Sequence, residues 1–473
     1  MSALWTSIEA AQATGGVATC DFEISGVSID TRTIQKGDLF VALKAERDGH
    51  DFVAQALAKG AAAALVSHVP KDVSADAPLL IVDDVLGGLE RLGVAARARV
   101  TGKVIGVTGS VGKTSTKEML RAILSGQGKV HAAEASYNNH WGVPLTLARM
   151  PQDTDFAILE IGMNHPGEIA PLAKMTCPDV AMITTVAAAH LVAFENIDGI
   201  AREKAAIFEG LAPDGIAVLN GDLAVTPILQ AAWDGKTISF GETVGNDAQL
   251  TSVSLVDTVT VAEAQIDNTR HLFRLGTSGR HFATNAVGCL AVVHALDADV
   301  TLAARDLSLW APPEGRGARE TILLDPVEVD QTLELLDDAF NANPTSMRAS
   351  LEVLAAAKVT YDVGRVRLGR RVAFLGDMLE LGPTQVADHA ALADVSWVAQ
   401  IDVVHCVGPL MSALYTALPP QKRGRLFETA QDALPELHHL VDAGDVILVK
   451  GSKGSRVNQL VDGIRRLGHP LQE

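Results

Sequence analysis

Cysteine is scarce. The 473 residues hold four, Cys20, Cys177, Cys289 and Cys406, each more than a hundred positions from the next. No CxxC pair exists, so neither a zinc knuckle nor a redox couple is expected, and the thiols read as reduced and buried. Positive charge is also short: 39 Lys and Arg stand against 57 Asp and Glu, a net charge of −18. A binder of duplex or single-stranded nucleic acid would carry a basic face, and this balance argues against one. It suits an acidic cytoplasmic enzyme kept in solution by self-repulsion. Long apolar runs are missing as well. The longest, "DVAMITTVAAAHLVAF", is broken by threonines and His190 and is too short to span a bilayer. The opening "MSALWTSIEAAQ" has no basic region and no long apolar core, so no signal peptide is expected. There is no repeat of fixed period and no low-complexity tract.

What remains is a large apolar share, 48%, spread over strand-like and helix-like runs in alternation. That is the α/β signature. At roughly 100–200 residues per domain the length suggests about three. The basic stretch "VAARARVTGK" (94–103) and the Pro- and Gly-rich "WAPPEGRGARE" (310–320) divide the chain into 1–100, 101–311 and 312–473. The first segment reads "GVSIDTR", "GDLFVAL", a helix at "DFVAQALAKGA" and a strand at "AAALV". The middle reads strand then helix, repeatedly. The last reads as strands at "LELLDD", "RVAFLGD", "DVVHCVG" and "DVILVKG". Its helices are expected at 345–357, 385–399, up to about 442, and 455–466. This is a doubly wound pattern, whose ligands bind at the C-terminal ends of strands.

One stretch carries phosphate chemistry. "VIGVTGSVGKTSTKEML" (104–120) predicts a strand, a tight turn through Gly109-Ser110-Val111-Gly112 and a helix from about Lys113. Amide groups in such a turn point inward, and the helix adds its positive end, so phosphate is favoured. Lys113 would reach the β- and γ-phosphates, and the Thr114 hydroxyl would bind Mg²⁺. The strict G-x-x-x-x-G-K-[ST] spacing is not met, since its first glycine would fall at Val107. The bland alternative is an ordinary strand-to-helix turn with a surface lysine.

Three further residues look costly for structure alone. "DFAILEIGMN" predicts a buried strand, yet Glu160 sits near its C-terminal end, where a nucleotidase holds its metal. It could instead be a strand-end glutamate facing water. His190 follows the apolar "VAMITTVAAAH" and is expected at a strand's end. A lone histidine is more often a satisfied core residue than a ligand. Lys204 in "NIDGIAREKAAIFEGL" falls on the apolar stripe of Ile197, Ile200, Ile207 and Phe208. Either its stem snorkels to water, or burial lowers its pKa and frees an amine able to take up CO₂ as a carbamate. Position alone does not choose.

Taken together these stretches resemble the Mur ligase family over nearly the whole chain. "SIDTRTIQKGDLFVALKAERDGHDFVAQALAKGA" is similar to the family's uridine-nucleotide module. "TGSVGKTSTKEML" is similar to its form of the phosphate loop. "NNHWGVPLTL", "LEIGMNHPGEI", "AAAHL" with "AREKAAIF", "LLDDAFNANPTSM", "GDMLELG" and "ILVKGSKGSRVNQLV" are similar to its later signatures. The resemblance implies three α/β domains: a small uridine-nucleotide-binding module, a central parallel-sheet ATPase domain and a C-terminal Rossmann-like domain. It implies a ligase that spends ATP to join D-alanyl-D-alanine to UDP-N-acetylmuramoyl-tripeptide through an acyl phosphate, in the cytoplasm, as a monomer.

The resemblance also implies roles. Thr108, Gly109, Ser110, Val111, Gly112, Lys113, Thr114, Ser115, Asn285, Arg316 and Asp338 would hold ATP. Thr114 and Glu160 would hold a first Mg²⁺. His190 and a carbamylated Lys204 would hold a second. Ser28, Asp30, Thr31 and Arg32 would meet the uridine end of the substrate, and Asn139 and His140 the acyl phosphate. Thr185 stands where the pattern has asparagine. Two rivals remain: a ligase of the same superfamily that adds an earlier amino acid, or a glutamate to folate, and a nucleotide-driven switch without a covalent product. The uridine module and "NNHWGVPLT" argue against the folate version, and an inward Lys204 and His190 have no use in the switch.

Overall fold

The computed structural model describes residues 3–74, 76–188 and 192–470. Among them the strands form three large α/β sheets and one two-stranded ribbon.

The first sheet is small. Its strands lie in the order Val17–Ala18, Leu79–Ile81, Ala63–Val66, Asp38–Val41 and Gly26–Ser28. All but the first neighbour are parallel. The long helix Val85–Arg99 follows, capped by the Asp84 carboxylate on the Gly87 amide. Residues 94–99, expected as a separator, are its last turns, and the chain turns directly into the next sheet.

That next sheet has nine strands, in the order Thr269–Leu275, Val259–Ile266, Ala248–Val256, Thr237–Gly241, Ile216–Asn220, Val180–Ile183, Lys103–Thr108, Phe156–Glu160 and Val130–Ala132. Pairing is parallel from Val130–Ala132 through to Ala248–Val256. The last two pairings are antiparallel, a meander the expectation of repeated strand–helix units did not contain. Its second hairpin turns on Asp267 and Asn268, both with positive φ (45° and 60°), as a two-residue loop between twisted strands requires.

The third sheet runs Arg423–Phe427, Val403–Val407, Arg371–Gly376, Val446–Lys450, Thr332–Asp338, Ala318–Leu323 and His469–Pro470. Its five strands from Arg423–Phe427 to Thr332–Asp338 are parallel. Helix Pro344–Ala356 lies on one face and Asn458–Arg465 on the other, each with its own core. This is the doubly wound layout. The helix expected at 385–399 is broken into Gln385–Ala390 and two tighter turns, and the strand Arg423–Phe427 lies in a region read as helical.

One apolar core joins the first two sheets. It unites Leu39, Leu65, Leu89 and Leu92 with Val143, Leu147 and Leu159. The seam also carries polar locks. Trp5 Nε1 donates to the Ala148 carbonyl at 2.9 Å, Arg149 Nε to the Val27 carbonyl at 2.6 Å and Arg99 to the Met150 carbonyl at 3.3 Å.

Candidate active site

Strand Lys103–Thr108 is buried after its first residue. Val107 pairs with both Glu160 and Met182, deep in the sheet. The chain leaves the sheet only after Thr108, so the turn needs glycine at 109 and 112 rather than at 107. A side chain at Gly109 would collide with the Thr184 hydroxyl. Gly112 has φ +87° and would bring a Cβ within 2.9 Å of Asn285 Nδ2. The loop is pinned from the neighbouring strand: Thr184 Oγ1 donates to the Val111 carbonyl at 2.6 Å, and the Ser110 amide donates to the Thr185 carbonyl at 2.8 Å. Helix Lys113–Leu124 begins directly behind it.

Lys113 Nζ donates to the Gly109 carbonyl at 2.7 Å and so arches back over the loop. Burial lowers its pKa, Glu160 opposes that shift and Arg316 adds to it. Thr114 Oγ1 donates to Glu160 Oε2 at 2.9 Å, and Asn138 Nδ2 donates to Glu160 Oε1 at 2.7 Å. Glu160 is the last residue of its strand and is 2% exposed, not solvent-facing. Two neutral donors satisfy its oxygens, and the charges of Lys113 and Arg316 lie close enough to interact with it. A hydroxyl beside such a carboxylate is the hard oxygen set Mg²⁺ prefers, with phosphate and water filling its remaining positions. No group of three His, Cys, Asp or Glu gathers among the described residues.

These groups line a cavity of roughly 460 Å³ between the second and third sheets. Ser110, Val111, Gly112, Lys113, Ser115, Glu160 and Asn285 face it from one side, and Arg316 and Asp338 from the other. Arg316 lies over the Phe340 ring, 3.9 Å from its centre, and donates to Ser136 Oγ at 3.1 Å across the gap. Ser136 Oγ is in turn 3.2 Å from Thr114 Oγ1. Asp338 ends its strand and meets Lys450 Nζ at 2.7 Å. Asn139 lines the cavity, with its carbonyl oxygen accepting from the Gly142 amide at 2.9 Å. His140 beside it is exposed and is not among the lining residues.

Lys204 lies on helix Ile197–Ala205, 2% exposed, so its stem does not snorkel to water. Ile197, assigned to the same stripe, is 38% exposed instead, and Ile207 and Phe208 lie in the tight turn that follows the helix. The Lys204 amine is 3.9 Å from the Met163 sulfur, and Met163 lines the cavity. Burial first, and Lys113 second, hold its pKa well below the usual lysine range. His190 lies outside the described residues. The strand before it ends at Ile183, seven positions short of the strand-end placement expected for it.

Ser28, Asp30, Thr31 and Arg32 form a separate cluster on the first sheet. Ser28 ends a strand, Arg32 NH2 meets Asp30 Oδ2 at 2.6 Å, and Thr31 Oγ1 donates to Gln55 at 3.3 Å. They do not line the cavity.

Sequence reasoning missed three residues of the site. His281 lines the cavity, its Nδ1 sealed and without a partner, and burial lowers its pKa to about 4. Ser136 and Asn138 reach Thr114 and Glu160 from a segment without regular structure. The signal for Asn138 lay in "NNHWG", where its neighbours drew the attention.

Family models match in three blocks: Mur ligase family, catalytic domain, at 23–97; Mur ligase middle domain at 107–293; and Mur ligase, glutamate ligase domain, at 324–453. The chain belongs to the Mur ligase family. A UDP-N-acetylmuramoyl-tripeptide–D-alanyl-D-alanine ligase from Bacillus subtilis is 34% identical over 443 residues, 93% of this chain and 92% of the relative. The crystal structure of MurF from Acinetobacter baumannii superposes with a TM-score of 0.82 at 31% identity, over 98% of this chain and 99% of that one. MurF from Thermotoga maritima, solved in complex with ADP, gives 0.76 at 25% identity, over 93% and 97%.

Proposed function

We propose that this protein joins D-alanyl-D-alanine to UDP-N-acetylmuramoyl-tripeptide, the two partners that the name of its Bacillus subtilis relative gives for that ligase, and that it does so at the expense of ATP. The observation that carries the reading is the cavity in which Lys113 and Glu160, beside the Gly109–Gly112 loop, face Arg316 and Asp338, with the buried Thr114 hydroxyl donating to the Glu160 carboxylate. An amide is not formed from a carboxylate and an amine in water without activation. A carboxylate oxygen of the tripeptide attacks the γ-phosphorus, the bond to ADP breaks, and an acyl phosphate forms. The dipeptide amine then attacks the acyl carbon, sheds a proton, and phosphate leaves.

The chain's part is positioning and charge. Loop amides and Lys113 hold the phosphates and meet the charge that grows on the transferring group. Thr114 and Glu160 would hold Mg²⁺, whose charge would offset the repulsion between carboxylate and phosphate. Lys204, whose sealed amine is held well below the usual lysine pKa, would carry a carbamate and with His190 would hold a second Mg²⁺. Asn285, Arg316 and Asp338 hold the nucleoside, Asn139 and His140 the acyl phosphate, and Ser28, Asp30, Thr31 and Arg32 the uridine end. The working units are residues 1–100, 101–311 and 312–473, acting as a cytoplasmic monomer. Closure of the third unit keeps water from the acyl phosphate.

The test is phosphate release from ATP, measured with and without each partner. Release that needs both the UDP-linked tripeptide and D-alanyl-D-alanine, with the pentapeptide product seen by mass, supports the reading. Release indifferent to the amine would leave a switch. A preference for single amino acids would move the chain to another member of the family.

A further inference from the structure

Lys117 is the largest unexplained expense near the site. It lies on helix Lys113–Leu124, one turn beyond Thr114, and its side chain is wholly buried. A buried ammonium is tolerated only when its donors are met. Here all three are: Nζ donates to the Ala133 carbonyl at 2.5 Å, to the Ala135 carbonyl at 3.3 Å, and contacts Glu118 Oε1 at 2.8 Å. The two carbonyls belong to the irregular segment 133–139 that follows strand Val130–Ala132.

The far end of that segment is held by the Val143 and Gly142 amides donating to Asn139, while Lys117 is the side chain that holds its near end at Ala133 and Ala135. The segment supplies Ser136, which touches Thr114 and receives Arg316, and Asn138, whose amide holds Glu160. The Asn138 carbonyl also accepts from the Gly162 amide at 2.8 Å, tying the segment to the loop beyond Glu160. One ammonium on the phosphate-binding helix thus grips, by its backbone, the segment that completes the metal-side face of the cavity. A thioether or alkyl chain of the same length would fill the space without gripping anything.

We propose that Lys117 is a positioning residue. It fixes segment 133–139 to the phosphate helix, sets the orientation of Glu160 through Asn138, and presents Ser136 to both Thr114 and the incoming Arg316. The proposal rests on the nucleotide reading of the cavity, but its first readout does not.

The test is amide hydrogen exchange on the full chain with Lys117→Met. Loss of charge-assisted hydrogen bonds should raise exchange in 133–139 and at Gly162 by about 10- to 100-fold, while the far half of helix Lys113–Leu124 stays protected. Calorimetry with MgADP should show affinity falling by a similar factor, and Lys117→Arg should restore part of both. Unchanged exchange in 133–139, or a uniform rise across the central sheet, overturns the proposal. So does an unchanged MgADP affinity despite faster exchange. If Lys117→Met does not fold, Lys117→Gln, which keeps a donor, carries the same measurements. Failure of the ligase reading would show separately, as absent product from the unaltered protein with the exchange effect intact.

Discussion

Lys450 and Asp338 meet at 2.7 Å, the lysine 2% exposed and the aspartate at the rim of the nucleotide-facing cavity. The Asn341 carbonyl takes a second donor of the ammonium at 3.1 Å, and Ser350 donates to the same carboxylate oxygen. Neighbouring parallel strands thus end in opposite charges. Lys450→Met would leave the carboxylate part-buried without its cation. Breaking a buried pair costs roughly 3 kcal/mol at the low end. By calorimetry the transition of the third sheet should fall by about 6–12 °C. Adding Asp338→Asn should recover part of that loss. A double variant no more stable than Lys450→Met would show that the pair is not what the lysine contributes.

Lys204→Ala should be nearly inactive, and acetate or formate added in excess should restore some turnover by standing where the carbamate stood. In the uncarbamylated protein, kept free of CO₂, the proton linkage has a definite sign. The folded pKa is depressed, so the unfolded chain binds the extra proton and stability rises with pH between the folded value and the usual 10.5. Lys204→Met should lack that rise. Full activity in the folded Lys204→Ala protein would refute the carbamate reading.

His281 has its pKa pushed by burial to about 4, against 6.5 when free. Between those values the unfolded chain takes up a proton the native site refuses, so stability is lost as pH falls through that window. His281→Phe should narrow the fall in melting temperature between pH 7.5 and pH 5. It should leave the pH profile of turnover above pH 7 without a changed inflection. Equal falls for both proteins would show that the ring is charged at little cost.

Arg316 couples two sheets through a single hydrogen bond to Ser136. An ATP analogue with the tripeptide substrate should draw the third sheet onto the second and reduce the radius of gyration measured by small-angle scattering. Arg316→Ala should weaken that compaction. A radius indifferent to both ligands would count against a moving third unit.

The local grammar of the site was readable. Strand, glycine turn and Gly-Lys-Thr specify their own conformation, and Glu160 betrayed itself as a charge ending an apolar strand. Lys204 showed as a break in a helical stripe, although Ile197 of that stripe faces water. What could not be read were partnerships made across long stretches of chain: Asn138 with Glu160, Arg316 with Ser136, Lys450 with Asp338. Each depends on which strands lie side by side, and strand order is a tertiary property. His281 escaped because it is the second residue of helix Arg280–Ala295, where no period has yet been set to break. The antiparallel meander was missed for a different reason. Its alternation is plain in "VTVAEAQI", but it interrupts a run of strand–helix units that set the expectation.

The seam between the first two sheets has a consequence for what the protein will accept. Trp5, Arg99 and Arg149 bolt the small sheet to the large one, and a shared apolar core fills the joint. The two sheets therefore hold together as one piece. On the proposed function, with the uridine at Arg32 and the phosphates at Lys113, a substrate would have to span one constant separation, and turnover of precursors with a shorter or longer peptide measures how strictly.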